Sequence, residues 1–301
     1  MNLKTASTDF LDHCRTKGLS PHTLRAYRQD LAQFQNWTEK EGWSSKDAIT
    51  GWMSAMQTNK NAPTTIKRRI ACLKVMFRWL EENERLTDNP FHKIRTTIQL
   101  PKRLPRDLNH NELKVLFSNP LSITLHSNNA KSRTLFLALE ILFATGIRVG
   151  ELCAITHSDL DLDAGIIRIK GKGNRERCVF LVSRELINEI EKYLKDYRRN
   201  TLPSDSLLIT QWGTAATPDY IRKSLHAFTA KRRITRRITP HMLRHTAATQ
   251  LIENGVDIRF VQKLLGHASI TTTEIYTHVS DKKLQEAIKM ANPREKIQTT
   301  R

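Results

Sequence analysis

No stretch of the 301 residues stays apolar long enough to cross a bilayer as a helix, so nothing points to a membrane-spanning protein. The opening Met1-Asn2-Leu3-Lys4 is polar and does not read as a secretory signal. Cysteine is scarce. The four, Cys14, Cys72, Cys153 and Cys178, lie far apart without paired metal-ligand spacing. Each has apolar neighbours, so they read as buried free thiols in a reducing cytoplasm rather than as a disulfide framework. Acidic residues are few against basic ones, 30 to 49, giving a net charge of +19. That imbalance suits a polyanionic partner, and nucleic acid is the usual one. There is no glycine-rich phosphate loop ending in Gly-Lys-Ser/Thr and no carboxylate cluster of the two-metal kind. Asp159, Asp161 and Asp163 alternate before Gly165 but lack the downstream bidentate glutamate of a calcium loop, and read as a polar turn. We expect neither a metal nor a cofactor.

What is present is enough apolar sequence, 39% of residues, for two domains with their own cores. Residues 1–86 read as a four-helix domain. Ser20 before Pro21 is an N-cap followed by proline at the first helical position. Leu24, Tyr27, Leu31, Phe34 and Trp37 then mark one apolar face, and Ile66, Ile70, Leu73, Phe77 and Leu80 repeat the rhythm. Shorter helices are expected over Thr5–Thr16 and Ser45–Gln57. Arg25, Arg28, Lys67, Arg68, Arg69 and Lys74 fall mostly off these stripes, where they can touch phosphates or simply face solvent. Pro90, Pro101 and Pro105 break the pattern, so residues 87–107 read as an extended linker whose Lys102 and Arg103 can follow a phosphate backbone.

The second domain, 108–301, reads as α+β. A long apolar helix covers about Arg133 to Ala144. Gly165 to Val182 has the form of a β-hairpin turning at Gly171-Lys172-Gly173-Asn174. Helices follow near Arg184–Arg198, Pro218–Lys231, Pro240–Asn254 and Ile258–Leu265, with Thr239 and Asp257 as N-caps and Gly255 and Gly266 as stops. The fold class is thus mainly α, a helical first domain beside an α+β second domain with a small antiparallel sheet. Ser280-Asp281 can cap a last short helix to about Met290, with Leu284, Ile288 and Met290 as its apolar contacts. A helix of about ten residues is too short to stand alone in water, and we expect it to dock on a neighbouring subunit, with docking on its own domain as the alternative.

The chemistry concentrates in Pro240-His241-Met242-Leu243-Arg244-His245. Positions i, i+3 and i+4 of a helix share a face, so His241, Arg244 and His245 are expected to project together. Two imidazoles and a guanidinium crowd unfavourably unless an anion sits among them; helix capping with a buried histidine is the plainer reading. His267 after Gly266 reads by itself as a cap, and Tyr276 as a half-buried packing residue. The combination of Arg148, Lys172, His241, Arg244, His267 and Tyr276 in one chain changes that reading.

Ala144-Thr145-Gly146-Ile147-Arg148-Val149-Gly150-Glu151-Leu152 resembles the first signature block of the tyrosine recombinases, or phage integrases. The His241–His245 stretch and the run from Leu264 to His278 resemble the second. Leu19 to Tyr27 resembles the start of the Xer-type core-binding domain, and Lys172 falls on the hairpin where the family carries its lysine. The resemblance implies a site-specific recombinase that cuts and rejoins double-stranded DNA at inverted half-sites, as a homotetramer or with a related recombinase. It implies Tyr276 as nucleophile forming a 3′-phosphotyrosyl link, Arg148 and Arg244 gripping the phosphate, His241 as base, Lys172 as acid and His267 as hydrogen-bond donor. Glu151 and His245 would support them. A metal-dependent transposase or nuclease, a recombinase-derived DNA-binding regulator and a type IB topoisomerase are the competing readings. The basic run Lys231 to Arg237 exceeds what a housekeeping Xer protein needs, which keeps an enzyme of a mobile element open.

Overall fold

The computed structural model describes residues 2–38, 42–99, 107–117, 129–171, 176–197, 205–266 and 288–290. The chain divides into two compact units, Met1–Leu104 and Pro105–Arg301. Among the described residues no helix is long and apolar enough to cross a membrane.

The first unit holds α1 (Leu3–Thr16), α2 (Pro21–Thr38), α3 (Lys46–Thr58) and α4 (Pro63–Glu82). Side-chain caps fix three of the starts. Asn2 accepts from Thr5 N at 2.8 Å, Ser20 from Thr23 N at 3.1 Å and Ser45 from Ala48 N at 3.0 Å, each satisfying an amide that the helix itself leaves unpaired. Asn2 thus starts α1 two residues before the expected Thr5. All five apolar positions of the α4 stripe are buried, and they pack with Phe10, Phe34 and Trp52 in one core. Trp37 departs from its stripe and stays 41% exposed. Its ring lies against Gly51, where an added Cβ would come within 2.9 Å of the indole. The segment from Pro90 to Ile98, inside the stretch expected to link the domains, belongs to this unit, with Phe91 in the core and Ile94 and Ile98 packed on it.

Basic residues of this unit separate into two kinds. Arg25, Arg28 and Lys67 are exposed. Arg68 and Arg69 both turn to Asp30, a carboxylate only 2% exposed. Burial pushes the Asp30 carboxyl upward, and the two guanidiniums oppose it. Lys102 and Arg103 lie outside the described residues.

In the second unit the order is α5 (His110–Phe117), α6 (Ala130–Thr145), α7 (Val149–Cys153), β1 (Leu160–Asp161), β2 (Ile166–Lys170), β3 (Glu176–Phe180), α8 (Arg184–Lys192, continued by a wider turn over Tyr193–Tyr197), α9 (Pro218–Lys231), α10 (Pro240–Glu253) and α11 (Ile258–Leu265). The rod of the unit is α6. Leu137, Ala138, Ile141 and Leu142 face a core shared with the sheet and α11, whereas Leu135, Leu139 and Phe143 face a second core shared with α5, α9 and α10. A helix that is apolar all round must be covered all round.

The three strands form an antiparallel sheet in the order β1-β2-β3, with Ile169 opposite Arg177 and Lys170 opposite Glu176. Strand alternation corrects the expectation that every cysteine is buried. Cys178 points outward from β3 and is exposed, while Val179 beside it is fully covered. Ile288 is 1% exposed in the core of its own unit, and Met290 is 86% exposed. Ser280 to Ala287, the rest of the expected last helix, lie outside the described residues.

The basic run after α9 is partly internal. Arg236 holds Glu112 and donates to the Asp107 carbonyl at 2.6 Å, and the Arg232 guanidinium lies 4.0 Å from the Phe228 ring centre. Those two residues serve the fold, which weakens the run as a mark of a mobile-element enzyme.

A buried relay ties α6 to the turn after α8. Thr134 Oγ1 donates to the Ile209 carbonyl at 2.7 Å and meets Tyr193 Oη at 3.1 Å, which in turn accepts from Ile209 N at 3.2 Å. Thr134→Val keeps the shape but removes the donor to the Ile209 carbonyl and the hydroxyl that meets the phenol. It is expected to lower stability by about 1–3 kcal/mol, measured by denaturant unfolding of the full chain.

Candidate active site

Four elements end around one cavity of about 1130 Å³. Arg148 lies between the end of α6 and the start of α7, Arg177 is on β3, His241 and Arg244 are on α10, and Gly266 closes α11. Lys170, Arg222 and Lys263 also line it. Among the described residues, six cationic side chains thus line the space against two carboxylates, Glu151 and Glu176. Such a cavity suits a doubly oxygenated anion such as a phosphodiester.

Helix geometry explains which residues meet. Gly146, at φ 65°, ends α6 in the left-handed conformation and turns the chain so that Arg148 starts α7. Glu151, three residues on, reaches back to accept from Arg148 N at 2.8 Å and from Arg148 Nη1 at 2.8 Å. On α10, His241 and Arg244 line the cavity, but His245 does not. The expected common face divides because successive helical residues differ by about 100°. His245 is turned toward Asp107, with Nε2 at 3.5 Å from the carboxylate, so any support it gives runs through the start of this unit rather than into the cavity.

Arg244 is 4% exposed and donates to two carbonyls, Gly146 O at 2.7 Å and Leu265 O at 2.7 Å. Burial, then the neighbouring Arg148 charge, pushes its pKa down to about 10, and it remains cationic at neutral pH. Arg148 is half exposed and approaches the Gly266 carbonyl at 3.4 Å.

Arg177 is one of the cavity residues that motif reading passed over, with Lys170, Arg222 and Lys263. It gives Nη1 and Nη2 to the two Glu151 oxygens at 3.1 and 2.8 Å, and Nε to the Leu264 carbonyl at 3.0 Å. A signal was present. Val179 is a core residue of the strand, so Arg177 two positions earlier shares its inward face, and an inward arginine requires a carboxylate partner.

Glu151 consequently accepts four hydrogen bonds, two per oxygen, which fills its lone pairs. Burial pushes this carboxyl upward, but the Arg177 hydrogen bonds, the Arg148 amide, the Arg177 charge and the Arg148 side-chain hydrogen bond outweigh it and bring the pKa to about 2. Lys172, His267 and Tyr276 lie outside the described residues. Two of them directly follow cavity residues in the chain, Lys172 after Gly171 and His267 after Gly266.

A pKa lowered on folding adds stability above the unfolded value and loses it as pH falls through the folded one. For Glu151 that window runs from about 4.5 down to about 2, and a depression of that size corresponds to about 3 kcal/mol. Glu151→Gln should therefore be less stable than the parent at pH 7. The gap should narrow as pH falls from about 4.5 toward 3, read by urea unfolding across that range. A gap that stays constant with pH would show that the carboxylate is not held this way.

Comparison with known proteins agrees with this geometry. The profile of the phage integrase family matches residues 106–283, and that of the phage integrase N-terminal SAM-like domain matches residues 8–84. The chain is 33% identical over 301 residues to a tyrosine recombinase of Agathobacter rectalis, covering 97% of this chain and 98% of that protein. It is 35% identical over 289 residues to the tyrosine recombinase XerD of Listeria innocua, covering 92% and 95%. The crystal structure of the XerH site-specific recombinase bound to its difH substrate superposes with a TM-score of 0.65 at 26% identity, over 93% of this chain and 83% of that one.

Proposed function

The chain belongs to the phage integrase family and is a tyrosine recombinase, and from that premise we propose the residue roles by which it breaks and rejoins DNA. Tyr276 is the nucleophile. Its Oη attacks the scissile phosphorus, the bond from phosphorus to the 5′ oxygen breaks, and a 3′-phosphotyrosyl bond remains. A phenol with a pKa near 10 is a weak nucleophile at neutral pH, so it needs an acceptor for its proton. His241, in the first turn of α10 and open to the cavity, takes that role. Lys172 gives a proton to the departing 5′ oxygen, and His267 hydrogen-bonds the phosphate. The phosphotyrosyl bond conserves the energy of the broken diester, so a 5′ hydroxyl from another strand reverses the step.

The observation that carries this reading is the convergence of Arg148 and Arg244 on one cavity from separate elements, each already held by carbonyl oxygens. Negative charge grows on the non-bridging oxygens during attack, and pre-positioned guanidiniums stabilise it without reorganising. We further infer that the partner is double-stranded DNA with inverted half-sites, since exchange between two duplexes cuts four strands and requires four copies of Tyr276. Arg25, Arg28 and Lys67, all exposed on the first unit, supply phosphate contacts that set register without reading bases. The site of action is the cytoplasm, where such DNA lies.

Tyr276→Phe is expected to abolish the covalent protein–DNA adduct on a nicked suicide substrate, while half-site affinity in a gel shift stays within about threefold, because affinity comes from many phosphate contacts. Persistence of the adduct would overturn the role of Tyr276. Lys172→Ala should cleave an ordinary substrate poorly yet recover on one with sulfur at the 5′ bridging position, since a thiolate leaves without a proton. Absence of that recovery removes Lys172 from the acid's role.

A further inference from the structure

The C-terminal end of α11, whose Gly266 lines the cavity, offers three consecutive carbonyls, and a different arginine approaches each. Arg177 donates to Leu264 O at 3.0 Å, Arg244 to Leu265 O at 2.7 Å and Arg148 to Gly266 O at 3.4 Å. A helix leaves its last carbonyls without internal partners and carries partial negative charge at that end. The three guanidiniums are the partners. Gly266, at φ 62°, is packed so tightly against this arrangement that a Cβ would lie 3.1 Å from the Arg177 guanidinium.

Arg177 differs from the other two in how its donors are spent. Three of its five N–H groups are directed at protein acceptors, two of them on Glu151, and its side chain is only 15% exposed. The Arg148 side chain is 48% exposed and shares Glu151 Oε1 with Arg177. We propose that Arg177 is a positioning residue for the strand-cleavage reaction: it pins Glu151 to the end of α11, and Glu151 thereby aims Arg148 at the scissile phosphate. The inference deepens the reading of Arg148 as a phosphate clamp and rests on it.

The physical argument is one of pre-organisation. Without Arg177, Glu151 keeps, among the described residues, only the Arg148 amide and guanidinium as hydrogen-bond donors, and a 3.4 Å contact joins that pair to α11. The Glu151–Arg148 pair, already closed at 2.8 Å, would then be free to turn as a unit with its own helix, and the guanidinium would lose its fixed direction. With Arg177 present, both carboxylate oxygens are fixed by a planar fork from another element. Arg148 then has one direction in which its remaining N–H groups can point.

The test is a double-mutant cycle on the full-length protein, since a residue that acts through another shows non-additive losses. Arg148→Lys, Arg177→Met and the double variant are compared for single-turnover adduct formation on a nicked half-site substrate, with half-site affinity measured by gel shift. Arg177→Met should bind within about threefold of the parent and cleave about 30-fold more slowly. Adding it to Arg148→Lys should cost no more than about threefold, because the group it aims is already gone. A near-parent rate for Arg177→Met overturns the proposal, and so does a full multiplicative loss in the double variant. If Arg177→Met loses half-site binding, the same cycle is run with Arg177→Lys, which keeps a cation on β3 but cannot hold both Glu151 oxygens and Leu264; additivity there overturns it equally. Failure of the underlying reading has another signature, an Arg148→Lys variant that cleaves at the parent rate with Arg177 intact.

Discussion

Everything in the cavity depends on how like charges are held together, and the carbonyl end of α11 does most of that holding. Arg148, Arg177 and Arg244 would repel one another in a half-buried space. Three consecutive carbonyls of one helix end and the filled carboxylate of Glu151 make the crowding tolerable. The arrangement serves the helix as well. Gly266 N closes the last turn onto Lys263 O, and the following carbonyls, which a helix cannot satisfy itself, find donors on three other elements. A helix terminus is here a structural requirement and a set of anchors at once.

The rest of the second unit positions this end. Its buried rod, α6, packs on both of its faces and stops at Gly146, whose left-handed backbone aims its carbonyl at Arg244. A side chain at Gly146 would meet Leu265 at 2.8 Å, so α6 and α11 approach one another at Gly146, while Gly266 lets Arg177 lie against the end of α11. Both glycines combine a positive φ with a close contact, and both offer a carbonyl to a candidate phosphate-gripping arginine. The sheet contributes the third side. Its pleat sets Arg177 inward and Cys178 outward, and the register that pairs Ile169 with Arg177 brings the guanidinium beside α7.

Local signals made much of this legible beforehand. The caps Ser20, Thr239 and Asp257 are side chains meeting their own helix's amides, so nearby sequence suffices to find them. The α4 stripe and the β2–β3 hairpin follow from periodicity. The surroundings that sequence left open depend on neighbours distant in the chain. Trp37 stays exposed because Gly51 offers a flat surface at the rim of the core, Arg68 turns to Asp30 on another helix, and Arg236 is taken by Glu112. His245 obeys helix geometry, but the width of a helical face was overestimated, so a residue that seemed to join the site turns to Asp107. Ile288 shows the same limit, since an apolar residue can be recognised as needing cover without indicating which surface supplies it.

Charge balance suggests why so cationic a site accompanies a stable fold. Burial first, and after it the Arg148 charge, lower the pKa of Arg244, so part of the folding free energy goes into holding these groups together. A phosphate between them would supply the missing negative charge, and a ligand that binds only the folded state stabilises it by mass action. Binding of DNA and consolidation of the catalytic unit are then one linked equilibrium. The share of the positive charge already neutralised by Glu151 sets how much is left for the phosphate. A fully compensated cavity would be more stable and grip the transition state less, whereas one without Glu151 would lack the scaffold that directs its arginines. The four-donor carboxylate, flanked by one arginine turned inward and one left half exposed, lies between those limits.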